Sequence, residues 1–301
     1  MDQQRPAQSR AAALRARLAK PEILVVPGAA DALTARLIGE AGFAAVYATG
    51  AGIANVLLGL PDLGLTTMTE IVDQVRRIGD AVEIPLIADA DTGFGNPLNV
   101  RRTVREIERA GAAGIQLEDQ VSPKRCGHFA GKDVIDADEM VQKVRAACDA
   151  RQDPDTIIVA RTDAIAVLGV EEAIRRARLY HDAGADVIFV EAPTDRDTFA
   201  ALPRQIDAPL LANMTEGGRS PLLPASELQA MGYKIALFPN TALRLALKAV
   251  QSGLQTLAAD GGSAALLDRL LPWDERQRVV GLPEYEQLER RYVTRYEEKV
   301  S

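Results

Sequence analysis

The sequence predicts an α/β fold, a (β/α)8 barrel, with an open doubly wound sheet as the alternative. Three observations carry this. Short apolar runs rich in Val, Ile, Leu and Ala recur eight times with little polar alternation, as strands buried on both faces of a parallel sheet require. Helical periodicity fills most of the intervals between them, so each interval reads as a crossover. Gly closes several of these helices just before the next run, in A-G-F-A-A, A-G-A-A-G-I and A-G-A-D-V-I, where a C-terminal cap favours a residue without a side chain. Eight such units over about 240 residues fit one barrel, a size at which that fold commonly forms a single domain.

In chain order, the first residues carry Arg5, Arg10, Arg15 and Arg17 around A-A-A-L and lack the apolar core of a secretory signal. A short amphipathic helix is therefore expected within residues 1–20. The eight runs are Ile23 to Pro27, Ala44 to Ala48, Pro85 to Ala88, Gly114 to Leu117, Ile157 to Ala160, Val187 to Val190, Pro209 to Ala212 and Ile235 to Phe238. Among the helices between them, Asn99 to Ala110 sets Val100, Val104 and Ile107 on one stripe, with Arg101, Arg105, Glu106 and Arg109 facing out. Ala242 to Ala258 reads as one long apolar helix. A polar and aromatic tail then runs through Pro272 and Trp273 to Tyr285 and Tyr296. The chain is expected to be one barrel domain, residues 1–301, with the helical tail occupying about 252–301. That region carries more apolar surface than a lone barrel should expose, which predicts a homo-oligomer held through the C-terminal region.

Composition narrows the function. A net charge of -7 offers no general field for nucleic acid or an anionic membrane, and no run approaches the roughly 18 apolar residues of a membrane span. Two cysteines in 301 residues argue against a disulfide framework and for a reducing, cytoplasmic setting. Cys148, in V-R-A-A-C, reads as packing, and His181, in R-L-Y-H-D-A-G, as a surface residue. With only His128 and His181 in the chain, a His-rich zinc site is excluded. T-G-A-G after the second run is no dinucleotide fingerprint and no Walker motif exists, so a nucleotide enzyme is disfavoured.

The chemistry-bearing residues stand where the runs end. Thr49-Gly50-Ala51-Gly52 follows the second run, Asp89 and Asp91 the third, Glu118-Asp119 the fourth, Arg161 and Asp163 the fifth, Glu191 the sixth and Asn213 the seventh. Active sites of barrels sit at that C-terminal rim. A single Asp at a strand end is as often a turn former or helix cap. Acids at four strand ends repel one another unless a cation sits among them, and hard oxygen ligands suit Mg2+ or Mn2+. After the fourth run comes V-S-P-K-R-C-G-H-F-A-G-K, where Cys126 stands among Lys124, Arg125 and His128, cations that would favour its thiolate. A lone Cys in a basic loop is more often a small apolar filler; the acids around it tip the balance toward chemistry.

D-A-D-T-G-F-G-N, L-E-D-Q, K-R-C-G-H, A-R-T-D-A and N-M-T-E-G-G, in this order and spacing, resemble the isocitrate lyase and phosphoenolpyruvate mutase superfamily from about Pro21 to Arg244. The resemblance implies a (β/α)8 barrel whose last helix is exchanged between subunits, tetramers built as pairs of dimers, and Mg2+ at the rim, with Mn2+ as a possible substitute. It implies Asp89 as the direct metal ligand, with Asp91 and Glu118 holding metal-bound waters. Thr49, Gly50, Ala51 and Arg161 would bind the 2-oxo acid end of a small carboxylic acid substrate. Asp62, Lys124, Gly127, Asn213, Thr215 and Arg244 complete the implied substrate site, Arg244 for a second carboxylate. Cys126, His128, Arg161 and Glu191 are the implied catalytic residues.

Members that cleave carbon-carbon bonds carry the Cys loop, so Cys126 points to a lyase acting on a 2-hydroxy di- or tricarboxylic acid. N-M-T-E-G-G resembles dimethylmalate lyases, oxaloacetate hydrolases and a carboxyphosphonoenolpyruvate mutase branch, which keeps hydrolysis, decarboxylation and phosphonate transfer as alternatives.

Overall fold

The computed structural model describes residues 9–125, 127 and 131–292. Eight parallel strands close into a barrel in sequence order, with β1 returning to β8, so the closed barrel is observed and the open sheet is not. The chain divides into two compact units, Met1–Arg244 and Leu245–Ser301.

The first unit begins with α1 (Arg10–Leu18), capped at Ser9, whose hydroxyl accepts from the Ala12 amide at 3.1 Å. Then follow β1 (Leu24–Ala29), α2 (Ala32–Glu40), β2 (Val46–Ala48), α3 (Gly50–Ile53), a π-helical turn (Ala54–Leu58) and α4 (Met68–Ala81). Next come β3 (Leu86–Asp89), α5 (Pro97–Arg109), β4 (Gly114–Glu118), α6 (Ala137–Ala150) and β5 (Ile157–Thr162). The barrel is completed by α7 (Ile165–Leu168), α8 (Val170–Asp182), β6 (Val187–Val190), α9 (Arg196–Gln205), β7 (Leu210–Asn213), α10 (Ala225–Met231) and β8 (Ile235–Phe238). Most strands match the apolar runs to within two residues at either end. At β3, β4, β5 and β7 the strand runs on into polar rim residues: β5 continues through Arg161 and Thr162 because β4 and β6 pair with them, Glu118 with Arg161 and Val190 with Thr162. Backbone pairing does not require an apolar side chain, so hydrophobic runs understate these strands.

Alternation along each strand produces two cores. Inward residues such as Val26, Tyr47, Ile87, Val159, Phe189 and Leu237 form one buried cluster. Outward residues pack under the helices in the other, among them Val100, Val104 and Ile107 of α5, the stripe the sequence predicts. Ala11 and Leu14 of α1 belong to the inner cluster beside Leu24, Ile157, Val187 and Ile235, all at strand beginnings, so α1 closes the N-terminal end of the barrel. Hydrogen bonds from Arg10 to the Gly79 carbonyl at 2.8 Å and from Arg15 to Asp186 at 2.9 Å hold it there. Gly42, Gly111 and Gly184 follow α2, α5 and α8 with φ of 84°, 99° and 111°, the left-handed conformation expected of those caps.

Cys148 packs against the outer core and its thiol donates to the Gly184 carbonyl at 3.2 Å. His181 is half-buried rather than free on the surface, because its ring nitrogen lies 2.9 Å from the Ala185 carbonyl at the end of α8. No described helix is long and apolar enough to cross a membrane.

The division between the units falls inside α11 (Thr241–Asp260), the long apolar helix of the sequence. In the second unit α11 is followed by a 3-10 segment (Ala264–Arg269), α12 (Trp273–Val279) and α13 (Leu282–Tyr292), with Leu266 and Val279 buried. Arg276 stacks on the Trp273 ring at 4.0 Å, a contact that covers one face of an exposed indole. Tyr296 lies outside the described residues.

Candidate active site

The inward alternation that fills the barrel continues past its apolar layers. Two residues beyond Ile87, Val159, Phe189 and Leu211, all in the inner core, stand Asp89, Arg161, Glu191 and Asn213, and on β4 the inward Gln116 is followed by Glu118. Period two thus places polar side chains from β3 to β7 on the barrel axis at its C-terminal end. Register adds the pairing. Asp89 lies beside Gln116, whose amide donates to it at 3.3 Å, and Glu118 lies beside Arg161, which lies beside Phe189. The guanidinium carbon sits 5.0 Å from the Phe189 ring centroid.

Arg161 is the centre of the charge array. Its Nε lies 2.8 Å from Asp163 and 3.3 Å from Glu118, its Nη2 donates to Asp163 at 3.1 Å, and its Nη1 lies 3.3 Å from Glu191. Burial opposes the Arg161 charge, but Asp163, Glu118 and Glu191 outweigh it and hold the group protonated. Burial likewise pushes Asp163 up, yet Arg161 and Lys132 pull its carboxyl down to about 2. Asn213 donates to Glu191 at 3.3 Å and accepts from Thr215 at 2.9 Å.

Lys124 forms a second ion-pair cluster, 2.5 Å from Asp62 and 2.9 Å from Asp91. Burial disfavours its ammonium, and Asp91, Glu118, Asp62 and Asp89 more than offset that. The Lys124 charge is thus shared by two carboxylates. Arg125 is exposed, and its backbone N-H and C=O both bond the Gln120 side-chain amide, at 2.9 and 2.8 Å. Cys126 and His128 lie outside the described residues.

Among the described residues six carboxylates, on Asp62, Asp89, Asp91, Glu118, Asp163 and Glu191, therefore face three cations, on Lys124, Lys132 and Arg161. Fully ionised, they would leave three negative charges in excess in a nearly dry volume. Burial accordingly pushes Glu118 well above the usual carboxylate range and, aided by Asp89 and Asp62 and opposed by Lys124, Asp91 up to about 6. Among the described residues the buried Glu118 Oε1 atom has no hydrogen-bond partner. An all-oxygen donor set, an orphaned carboxylate oxygen and a deficit of positive charge fit a hard divalent cation near Asp89, Asp91 and Glu118. Among the described residues no three acidic, His or Cys side chains close on one point, so few protein oxygens would hold it directly.

One cavity opens on this rim, lined by Thr49, Ala51, Asp62, Asp89, Lys124, Gly127, Arg161, Glu191, Asn213 and Thr215, all expected from the sequence. Asp91 and Glu118 are buried beside it. The Gly50 amide donates to Asp89 at 3.3 Å and the Thr49 hydroxyl caps α3 by accepting from Gly52 at 3.3 Å, so both also have structural work. Gly50 is tightly confined, since a Cβ there would meet Asp89 Oδ2 at 2.8 Å. Arg244 is not brought to the cavity. Its guanidinium donates to the Glu216 carbonyl and is about half exposed, while Thr241 bonds the Glu216 carboxylate, so the start of α11 is engaged with Glu216 instead.

Sequence reasoning passed over Tyr47, Phe189, Leu237, Pro239 and Asn240, which complete the lining. Tyr47 donates to Gln116 at 2.9 Å, and burial, reinforced by Asp89, keeps its phenol protonated. An apolar run conceals such residues, because nothing in it marks the inward parity until the strand register is known. Asp119 points the other way, into the helix layer, where it accepts from Thr162 at 2.7 Å, Tyr180 at 2.8 Å and Arg176 at 3.1 Å.

A closed barrel with its charged machinery confined to the C-terminal rim defines a barrel enzyme. The family model described as "Phosphoenolpyruvate phosphomutase" matches residues 14–258, and the chain belongs to this family. It is similar to 2,3-dimethylmalate lyase of Eubacterium barkeri, 46% identical over 94% of this chain and 98% of that protein. It is also similar to the probable 2-methylisocitrate lyase 2 of Corynebacterium glutamicum, 49% identical over 91% of this chain and 88% of that one. Among solved structures it resembles 2,3-dimethylmalate lyase, with a TM-score of 0.91 and 38% identity over 98% of this chain and all of that one. Oxaloacetate acetylhydrolase in complex with 3,3-difluorooxalacetate matches with the same TM-score and identity over 96% of this chain and 98% of the other.

Proposed function

We propose that this protein is a divalent-metal-dependent carbon-carbon lyase that cleaves a 2-hydroxy di- or tricarboxylic acid of the 2-methylisocitrate or alkylmalate type into a 2-oxo acid and a carboxylic acid. The observation that carries the reading is the convergence of Asp89, Arg161, Glu191, Asn213 and Thr215 on one cavity at the barrel's C-terminal end, in a chain whose relatives bear lyase names.

Asp89, Asp91 and Glu118 would hold the cation, Mg2+ or Mn2+, which when bound supplies Lewis acidity toward the substrate's 2-hydroxyl and neighbouring carboxylate. The residues of the chain do the rest. Arg161 offers donors to the substrate carboxylate in a direction fixed by Asp163, Glu118 and Glu191. Three carboxylates already share its charge, so it contributes orientation more than net attraction. A rim carboxylate takes the hydroxyl proton, the freed O-H pair becomes the second bond of the 2-oxo acid's carbonyl, and the pair of the breaking carbon-carbon bond passes to the adjacent carbon, stabilised as an enediolate. Asn213 and Thr215 stand where carboxylate oxygens gain charge, and such fixed dipoles commonly supply the largest share of rate. Cys126 gives its proton to that carbon, and the lining of the cavity keeps water from it.

The equally similar oxaloacetate acetylhydrolase favours one second reading, hydrolysis of a 2-oxo diacid on the same rim. A metal-supplemented panel of 2-methylisocitrate, isocitrate, 2,3-dimethylmalate, oxaloacetate and carboxyphosphonoenolpyruvate, with products identified by NMR, separates them. Cleavage of a 2-hydroxy acid supports the lyase; turnover of oxaloacetate alone supports the hydrolase.

The same reading includes a cytoplasmic homo-oligomer, a dimer of dimers, built through the C-terminal region. Leu245, Leu247, Val250 and Leu254 of α11 and Trp273 and Tyr285 of α12 and α13 are exposed large apolar residues, more than a monomer usually leaves in one region. Light scattering at micromolar concentration should give a multiple of 32.4 kDa. A monomer would refute this part of the reading.

A further inference from the structure

Lys132 is a buried cation that the mechanism above leaves unused. Its side chain is 2% exposed, and its ammonium donates to Asp163 at 2.7 Å and to the backbone carbonyl of Gly127. Asp163 is the carboxylate that grips Arg161 in two-point fashion, and its own amide is anchored on Asp119 at 2.9 Å. One ammonium thus connects the residue after Cys126 to the guanidinium of the site through a single carboxylate. The approach is close on the other side as well. A Cβ added to Gly127 would meet Arg161 Nη2 at 2.4 Å and Glu191 at 2.8 Å, so the backbone there lies directly on the charged cluster.

Neutralising Asp163 is not sufficient reason for Lys132. Arg161 already pairs with that carboxylate through two nitrogens, and burying a further ammonium is costly unless its remaining donors are also satisfied. The bond to Gly127 is what a second cation adds, since it joins two parts of the rim that lie far apart in sequence.

We propose that Lys132 is a positioning residue that fixes the backbone at Gly127 against Arg161 by holding the Gly127 carbonyl and the Asp163 carboxylate on one ammonium. The inference rests on the proposed function only in taking Arg161 and Cys126 as site residues. Lys132→Met frees the Gly127 carbonyl while Arg161 keeps Asp163 paired. Misplacement of about 1 Å at a reacting centre can cost about a hundredfold in rate. The expected result is therefore a kcat lower by about 10- to 100-fold with KM raised less than about tenfold, and recovery to within about fivefold of wild type in Lys132→Arg.

The test compares the full-length wild type, Lys132→Met and Lys132→Arg by steady-state kinetics and by limited trypsin digestion without substrate. Cleavage after Arg125 should accelerate about tenfold in Lys132→Met, with cleavage at sites other than residue 132, which the substitution itself removes, unchanged, and return toward wild type in Lys132→Arg. If Lys132→Met folds poorly, the pair Asp163→Asn and Asp163→Asn/Lys132→Met removes the charge imbalance and decides the matter. A positioning role keeps the kcat loss and the cleavage after Arg125 in the double variant relative to the single one. Equal kcat and equal cleavage in that pair, or in wild type and Lys132→Met, would overturn the proposal. A wild type that turns over nothing in the substrate panel counts against the proposed function instead, and the digestion pattern still judges Lys132.

Discussion

Cys126→Ser should lower turnover by about 10^2- to 10^4-fold and leave substrate affinity nearly intact. The substitution keeps size and polarity but exchanges a thiol of pKa about 8.5 for a hydroxyl far too weakly acidic to give up a proton at neutral pH. A general acid contributes about 10^2 to 10^4 in rate, and the carbanion left by carbon-carbon cleavage has to be protonated somewhere. Gly127, next in sequence, lines the cavity beside Arg161 and Glu191. In the proposed mechanism affinity would be carried by Arg161, Asn213, Thr215 and the cation, none of which the variant changes. The Kd measured by calorimetry should change less than about tenfold, or 1.4 kcal/mol. Decarboxylation of a 2-oxo diacid leaves an enolate of a ketone, which can depart and take its proton from water, so a variant retaining more than half of wild-type kcat would point to that chemistry.

Removal of divalent metal should abolish activity, and Mg2+ or Mn2+ should restore it. The physical ground is the charge array itself. Three excess carboxylate charges cannot stay ionised together in a buried volume, and Glu118 answers with a carboxyl held well above its usual range and an oxygen that finds no partner among the described residues. Without added positive charge the rim also repels an anionic substrate, because Arg161 is already shared by three carboxylates. The binding should be visible without any assay of turnover. A ligand that binds only the folded state at about 100 times its Kd adds about 2.7 kcal/mol, so Mg2+ should raise the melting temperature of EDTA-treated protein. Glu118→Gln should shrink that shift. A chelated preparation with full activity would remove the cation from the account.

The barrel was legible because its determinants are local and periodic. Val100, Val104 and Ile107 mark the buried face of α5 by spacing alone, and Gly42, Gly111 and Gly184 mark helix ends by the one conformation their neighbours avoid. Most rim residues were legible for a related reason: a polar side chain that ends an apolar run has nowhere to go but the strand's end. What sequence could not supply was direction. Asp119 and Asp163 stand at strand ends like Glu118 and Arg161, yet Asp119 faces the helices and Asp163 braces Arg161, which only the register and inward parity reveal. Tyr47 and Phe189 were hidden as ordinary members of apolar runs. Arg244, which a motif match assigns to the substrate, makes contacts with Glu216 that no motif announces. The pairing of Lys124 with Asp62 and Asp91, 62 and 33 residues earlier in the chain, was likewise invisible in one dimension.

The most direct test of the central claim is product analysis in D2O with the best substrate of the panel and saturating Mg2+. Cleavage followed by protonation from an enzyme acid predicts a 2-oxo acid and a carboxylic acid in equal amounts, the latter carrying one deuteron at the carbon released from the broken bond. Formation of carbon dioxide or of a phosphonate, or absence of any 2-oxo acid product, would contradict it.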